Sequence, residues 1–315
     1  MVPQSSRPVA ARVSGEVVDL FAGGSHLCVR TGDARLRCWG NNQYGQVGDG
    51  TVGGRRPPVS VVGLGEVVQG SGGLDHTCAL QPDGRLSCWG RNDFGQLGDG
   101  GTILRGTPRA VDALRDVAGV AVGGHHSCAW LSDGTAHCWG SGTQGKLGDG
   151  TTPNIRSQPA PVSGLGDVAS MSAGAAFVCA LRRGGMVSCW GVNENGRLGD
   201  GTELDRATPA PVVGLEEVAR VAAGGVHACA LRRDRSVWCW GYNQRGSLGD
   251  GTRTSRSTPV QVTGLGDVVD LAVGGWHACA LRADDTVWCW GRNQYGELGD
   301  GTTTDRLVPV RVVGL

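Results

Sequence analysis

The sequence lacks a net charge: 29 basic and 29 acidic side chains cancel over 315 residues, and Lys146 is the only lysine. A balanced chain has no global field with which to gather nucleic acid or an anionic membrane, so neither is expected as a partner. No apolar run approaches the roughly 20 residues of a membrane-spanning helix, and no membrane span is expected. The opening residues, Met1 to Arg7, lack the apolar stretch of a signal peptide. Sequences that announce chemistry are missing too. There is no Gly-x-Ser-x-Gly nucleophile elbow, no His-Glu-x-x-His zinc motif and no Gly-x-x-x-x-Gly-Lys phosphate loop. The chain is therefore expected not to be an enzyme, and to carry no cofactor and no metal ion. Glycine is abundant, 56 of 315 residues, but without the strict three-residue period of collagen. What remains is a soluble, turn-rich, all-β protein.

That glycine belongs to a repeat. Cys-Trp-Gly occurs six times, with its cysteine at Cys38, Cys88, Cys138, Cys189, Cys239 and Cys289, at spacings of 50, 50, 51, 50 and 50 residues. A period near 50 built from short β-like runs means a propeller or solenoid rather than two packed domains. Each copy offers four strands. The first ends in small residues that suit a crowded inner position, as in Val268 to Val273. The fourth, after a Pro, alternates as Val260 and Val262 do, and its proline suits an outer edge. Chain 1–315 is thus expected to be a single β-propeller domain, its repeats spanning approximately 7–57, 58–107, 108–158, 159–208, 209–258 and 259–315.

The register of the central hairpin follows from spacing. Cys78 and Cys88 are ten residues apart, so direct opposition centres the turn on Asp83, sets Leu80 against Leu86 and leaves Gly84 at the left-handed position of a three-residue loop. Gly134 and Gly185 obey the same rule. Ala34, Arg235 and Asp285 do not, so those turns are expected to be strained or differently shaped. Opposed residues on antiparallel strands lie within disulfide range. Six bridges are expected: Cys28–Cys38, Cys78–Cys88, Cys128–Cys138, Cys179–Cys189, Cys229–Cys239 and Cys279–Cys289. They imply an oxidising, extracytoplasmic compartment; reduced cysteines would imply the cytoplasm.

Gly-Gly-x-His-x-Cys-Ala-Leu, Cys-Trp-Gly-x-Asn-x-x-Gly-x-Leu-Gly-Asp-Gly-Thr and the closing Pro-x-x-Val together resemble the regulator of chromosome condensation repeat family. The resemblance covers essentially the whole chain and implies a β-propeller, usually of seven blades. This chain has six central units but seven outer-strand segments, because Arg7 to Val13 opens it and Val308 to Val312 closes it. Either six blades close with one terminus redundant, or the chain is a fragment of a seven-bladed propeller. An unclosed ring leaves unpaired edges, so a closed six-bladed ring, four antiparallel strands per blade, is the expectation.

Repeated residues read as scaffold. His26, His76, His126, His227 and His277 precede a cysteine by two, but each blade offers too few ligands for zinc, and Phe177 replaces one histidine without other change. A ring nitrogen bonding neighbouring backbone is the expected role. Asp49, Asp99, Asp149, Asp200, Asp250 and Asp300 are one carboxylate per blade, too few for calcium, and are expected to bond Arg55, Arg105, Arg156, Arg206, Arg256 and Arg306 between loops. Trp39, Trp89, Trp139, Trp190, Trp240 and Trp290 are expected blade-to-blade core.

What varies among copies at one position is free to recognise something. Two such sets stand out. Ser25, Asp75, His125, Ala176, Val226 and Trp276 precede the histidine site, and Tyr44, Phe94, Gln144, Asn195, Arg245 and Tyr295 follow Cys-Trp-Gly. Both should be displayed on propeller rims, and Tyr, Trp and Arg are common interface anchors. The expected function is a non-catalytic, monomeric scaffold, exported or at the cell surface, that binds a protein partner through these loops. The resemblance implies alternatives: an exchange factor for a small GTPase, a secreted enzyme inhibitor, or a light sensor. Uniform blades and a neutral chain offer no wedge or basic tail for the first, and Trp276 lacks companions for the last.

Overall fold

A computed structural model describes residues 6–8, 11–152 and 154–314. The fold is all-β, a six-bladed β-propeller in which each blade is a four-stranded antiparallel sheet. Blade 1 comprises β1 (Val17–Ala22), β2 (His26–Thr31), β3 (Leu36–Asn41) and β4 (Arg55–Ser60). Blade 2 comprises β5 (Gln69–Gly72), β6 (His76–Leu80), β7 (Leu86–Gly90) and β8 (Arg105–Ala110). Blade 3 comprises β9 (Val117–Val122), β10 (His126–Leu131), β11 (Ala136–Ser141) and β12 (Ile155–Pro161). Blade 4 comprises β13 (Val168–Ala173), β14 (Phe177–Arg182), β15 (Val187–Gly191) and β16 (Arg206–Pro211). Blade 5 comprises β17 (Val218–Ala223), β18 (His227–Arg232), β19 (Val237–Gly241) and β20 (Arg256–Gln261). Blade 6 comprises β21 (Val268–Val273), β22 (His277–Arg282), β23 (Val287–Gly291) and β24 (Arg306–Arg311). Residues 12–176 with 207–209 form one compact unit, and residues 1–11, 177–206 and 210–315 form a second.

The central hairpins take the register that the cysteine spacing predicts. Cys78 lies opposite Cys88 and Leu80 opposite Leu86, and Cys28, Cys128, Cys179, Cys229 and Cys279 face their partners likewise. The structure joins all six pairs as disulfides, with Cα atoms 4.0 to 4.1 Å apart. Each closes a loop of about ten residues and stabilises by about 2–3 kcal/mol on the chain-entropy account. The three irregular turns are strained rather than reshaped. Ala34, Arg235 and Asp285 have φ of 59°, 66° and 61°, in the region that Gly84, Gly134 and Gly185 occupy at 77°, 86° and 81°. Each still closes the same bond, as Arg235 N–H does to Arg232 O at 3.0 Å. A side chain in that conformation costs on the order of 1 kcal/mol.

Blades pack through small inner strands. A Cβ on Gly70 would overlap the Phe21 ring of blade 1, so the bare glycine admits that ring between blades 1 and 2. The Cys-Trp-Gly tryptophan drives into the preceding blade, where Trp240 stacks in a cluster with Leu198, Val212 and Leu215. Its indole N–H donates to Arg197 O at 3.0 Å, and Trp89, Trp139 and Trp290 donate in the same way to Gln46, Gln96 and Ser247. Five of these tryptophans are fully buried; Trp39 is only half-buried.

The extra N-terminal segment is not redundant. Within each unit, the loop of one blade donates a backbone bond to the outer strand of the next, as Gly50 does to Gly106 and Gly251 to Leu307. Gly301, in the loop of blade 6, makes this bond to Ser6 O at 3.0 Å. Residues 6–8 therefore stand where an outer strand would, while Val9 and Ala10 lie outside the described residues.

Candidate functional site

Strand pairing decides which variable residues meet. His26 lies opposite Gly40, so the turn before β2 and the loop after β3 emerge at the same strand ends. Asn41 N–H donates to Ser25 O at 2.8 Å, and Arg91 to Asp75, Ser141 to His125, Tyr242 to Val226 and Arg292 to Trp276 repeat that bond. Both variable sets thus share one end of their blades.

In the first unit the loop of one blade reaches the turn of the next. The Arg91 guanidinium lies 4.9 Å over the Tyr44 ring and 5.8 Å over the Phe94 ring. Phe94 in turn meets His125 at a centroid distance of 5.3 Å. Two carboxylates hold Arg91 in place, Asp93 at 2.7 Å and Asp75 at 3.6 Å. The bond to Asp93 raises the Arg91 pKa above its ordinary value, so the cluster keeps its cation at any physiological pH. Burial, then the charges of Arg91 and Lys146, push His125 below its ordinary range and keep it neutral. Tyr44 and Phe94 are anchored through their backbones, each N–H donating at 3.0 Å to the side-chain oxygen of Gln46 and Gln96.

A second cluster of the same chemistry sits in blade 6. Arg292 lies 5.0 Å over the Trp276 ring and 4.9 Å over the Tyr295 ring. Trp276 and Tyr295 are 42% and 49% exposed. Glu297 fixes this cluster, accepting from Tyr295 N–H at 2.7 Å and lying 3.8 Å from Arg292. Cation–π contacts at partly exposed sites are each worth about 0.5–1 kcal/mol. The rings and guanidinium are therefore preorganised as flat, amphipathic surfaces.

The other residues expected at the rim join neither cluster among the described residues. Arg245 pairs with Asp305 at 3.3 Å. Gln144 and Asn195 sit in single 3₁₀ turns with φ near 60°, and Ser25 and Val226 contribute their backbone carbonyls. Arg91 and Arg292, which organise both clusters, were not in either variable set. They occupy the position directly after Cys-Trp-Gly, where the copies read Asn41, Arg91, Ser141, Val192, Tyr242 and Arg292; that variation was the available signal.

The repeated polar residues are scaffold, with two corrections. The histidine ring nitrogens do not bond backbone: His26 Nε2 meets the Thr77 hydroxyl at 2.8 Å, and His76 Nε2 meets that of Ser127 at 2.9 Å, one blade onward. His227 faces a blade with Ala278 at that position, and both of its buried nitrogens lack a partner. Burial lowers the pKa of His26 to about 4 and those of His126 and His227 to about 3. The aspartates pair with arginines within their own blade rather than between loops. Arg105, Arg156, Arg206, Arg256 and Arg306 engage Asp99, Asp149, Asp200, Asp250 and Asp300 at 2.7 to 3.5 Å. In blade 1 the partner of Asp49 is Arg56 at 3.3 Å, not Arg55, because Arg56 is the residue opposite the Cys-Trp-Gly glycine. Burial alone would raise Asp200, but bonds from Thr202, Arg206 and Asn193 hold it below the usual carboxylate range.

The motif's asparagine, two residues past Cys-Trp-Gly, has no role assigned from the sequence; it is buried. Asn243 donates to Asp250 Oδ1 at 2.9 Å and accepts from Leu248 N–H at 2.9 Å, locking the loop that carries Arg245. Among the described residues no group of His, Cys, Asp and Glu is arranged to hold a metal. No helix there is long and apolar enough to cross a membrane.

These repeats define a family. The sequence profile of the regulator of chromosome condensation (RCC1) repeat matches residues 33–80, 83–130, 133–181, 185–231, 234–281 and 284–315, and a second profile of that repeat matches six further overlapping spans. The chain belongs to the RCC1 repeat family. Among curated proteins no match to it is found. Prp20p from Saccharomyces cerevisiae resembles it over 95% of this chain and 77% of that one, at 21% identity and a TM-score of 0.84. Human WBSCR16 does so over 98% and 84%, at 24% identity and a TM-score of 0.86. The CRINKLY WD40 ectodomain of the Arabidopsis thaliana receptor kinase ACR4 covers 87% and 79%, at 22% identity and a TM-score of 0.55. At these identities the likeness is one of fold.

Proposed function

We propose that this chain is a non-catalytic binding scaffold that recognises a protein partner through the loop end of its blades, centred on the Arg91 cluster. The observation that carries this reading is Arg91 held between two aromatic rings and two carboxylates, a rigid surface of the residue types that dominate interface energetics. Binding to such a surface loses little side-chain entropy, because the rotamers are already fixed. One similar propeller, yeast RCC1 (Prp20), is described in two structures as binding proteins: Kap60 in one, Gsp1p and histones in the other. The six disulfides favour an oxidising compartment, and the plant propeller of similar fold is an ectodomain. The chain is accordingly read as exported or displayed at the cell surface.

The test is partner capture from extracellular material by the intact chain and by a Tyr44→Ala, Phe94→Ala, Tyr295→Ala variant. Capture should fall at least about tenfold, the loss of roughly 1.4 kcal/mol. Unchanged capture by a folded variant refutes this surface as the binding face.

A further inference from the structure

The rim loop of blade 4 carries the one Asn-Gly pair of the chain, Asn195-Gly196. Two separate demands of the fold put it there. Gly196 has φ +72°, and a Cβ on it would stand 2.3 Å from the Cα of Ser257 in β20, so only glycine fits against that strand. The residue before it has φ 60° and ψ 23°, left-handed backbone that asparagine tolerates better than most side chains. The pair that results is also the one most prone to attack itself, because glycine leaves its amide nitrogen unshielded beside the asparagine side chain. In the folded loop that attack is blocked twice. At ψ 23° the Gly196 nitrogen points away from the Asn195 Cβ, whereas a five-membered ring closes only where the two are eclipsed, more than a right angle of rotation away. The Gly196 N–H is also engaged, donating to Asn193 O at 2.9 Å. Asn193 holds this turn from within. Fully buried, it accepts from Leu198 N–H at 2.9 Å and donates to Asp200 Oδ1 at 3.0 Å and Thr202 O at 3.1 Å.

We propose that Asn195-Gly196 is a self-modification site of the rim, kept intact by the bonds of Asn193 and consumed when the loop opens. On opening, the Gly196 nitrogen attacks Asn195 Cγ and closes a succinimide, while its proton and the side-chain amide leave together as ammonia. Water then opens the ring at either carbonyl and gives aspartate or isoaspartate, so one water is taken up for each ammonia released. Either product adds a negative charge to the rim. Isoaspartate also lengthens the backbone by one carbon, and the turn that seats Gly196 against Ser257 cannot re-form in the same register.

The test ages the full oxidised chain in mildly alkaline buffer, folded and, in parallel, reduced and unfolded in urea. After reduction and tryptic digestion, peptide 184–197 reports the gain of one mass unit at Asn195, and electron-transfer fragmentation resolves isoaspartate. The folded parent should react at least about 100-fold more slowly than the unfolded chain. Asn193→Ala should raise the folded rate about 10-fold or more, because the open loop becomes more populated. Gln144→Asn decides where that variant does not fold. It changes an exposed residue and sets an Asn-Gly pair in the matching turn of blade 3, φ 59° and ψ 29°, where Gly142 stands in the place of Asn193. The introduced asparagine should deamidate about 10-fold or more faster than Asn195 in the same molecule. A folded parent that deamidates as fast as the unfolded chain overturns the proposal. So does a folded Asn193→Ala chain with the parent's rate, or an introduced asparagine in blade 3 as durable as Asn195.

Discussion

Replacing His227 by phenylalanine tests the energetics of the blade interface. The ring is fully buried with neither nitrogen bonded, and burial, then the nearby His277, lower its pKa from 6.5 to about 3. The folded state thus holds a neutral imidazole that the unfolded chain protonates. Stability is complete above pH 6.5 and is lost as pH falls toward 3, at about 1.4 kcal/mol per pH unit. At pH 4.5 this one residue costs about 3 kcal/mol relative to pH 7. Phenylalanine removes that loss and also the unpaired nitrogens, worth about 1 kcal/mol at neutral pH. The site accepts the ring: Phe177 stands at the same position in blade 4, fully buried. His76→Phe is the contrast, since it breaks the 2.9 Å bond to Ser127 and should cost about 1 kcal/mol at pH 7. Urea unfolding with disulfides intact, at pH 7 and pH 4.5, reads both. A His227→Phe chain that loses stability at pH 7 and keeps the parent's acid sensitivity refutes the argument, as does an imidazole titrating near pH 6.5 by NMR.

Arg235→Gly and Asp285→Gly relieve left-handed backbone and should each stabilise by about 0.5–1 kcal/mol in urea. Gly134→Ala should destabilise by at least about 1 kcal/mol, because its Cβ would stand 3.1 Å from the Asp167 Cα. Cys229→Ala with Cys239→Ala opens one bridge and should cost about 2–3 kcal/mol, while intact mass should show no free thiol until the chain is unfolded and reduced. Asn243→Ala strips a buried side chain that both donates and accepts; a loss of about 2–3 kcal/mol by thermal unfolding is expected.

Spacing made the scaffold readable. A ten-residue separation admits one register for a three-residue turn, so the pairing of Cys78 with Cys88 and the left-handed place of Gly84 follow from arithmetic. Side-chain partners across blades do not. That His26 bonds Thr77 depends on how one sheet docks on the next, a distance of 51 residues, and nothing in the period states whether hydroxyl or backbone waits there. The Arg55 assignment failed for a related reason. Two adjacent arginines fit the spacing, and only the pairing of Arg56 with Gly40 chooses between them. The rim was half readable: comparing copies found the rings, but the cations that order them lie at a position where four of six copies carry no charge.

Those differences among copies divide by consequence. Where Ser127 becomes Ala278, a buried histidine loses its bond and the fold carries an acid-labile site. Where Gly84 becomes Arg235, the same turn forms under strain. Six disulfides and the sealed tryptophans hold each blade well enough for such defects to persist. Variation at the exposed loop end meets no such opposition, because Tyr44, Phe94 and Tyr295 owe their positions to backbone bonds with Gln46, Gln96 and Glu297 rather than to their own rings. A frame that fixes the loop backbone independently of the ring can exchange the ring without refolding the loop. The rim is therefore where this architecture can change its exposed surface at least cost to its stability.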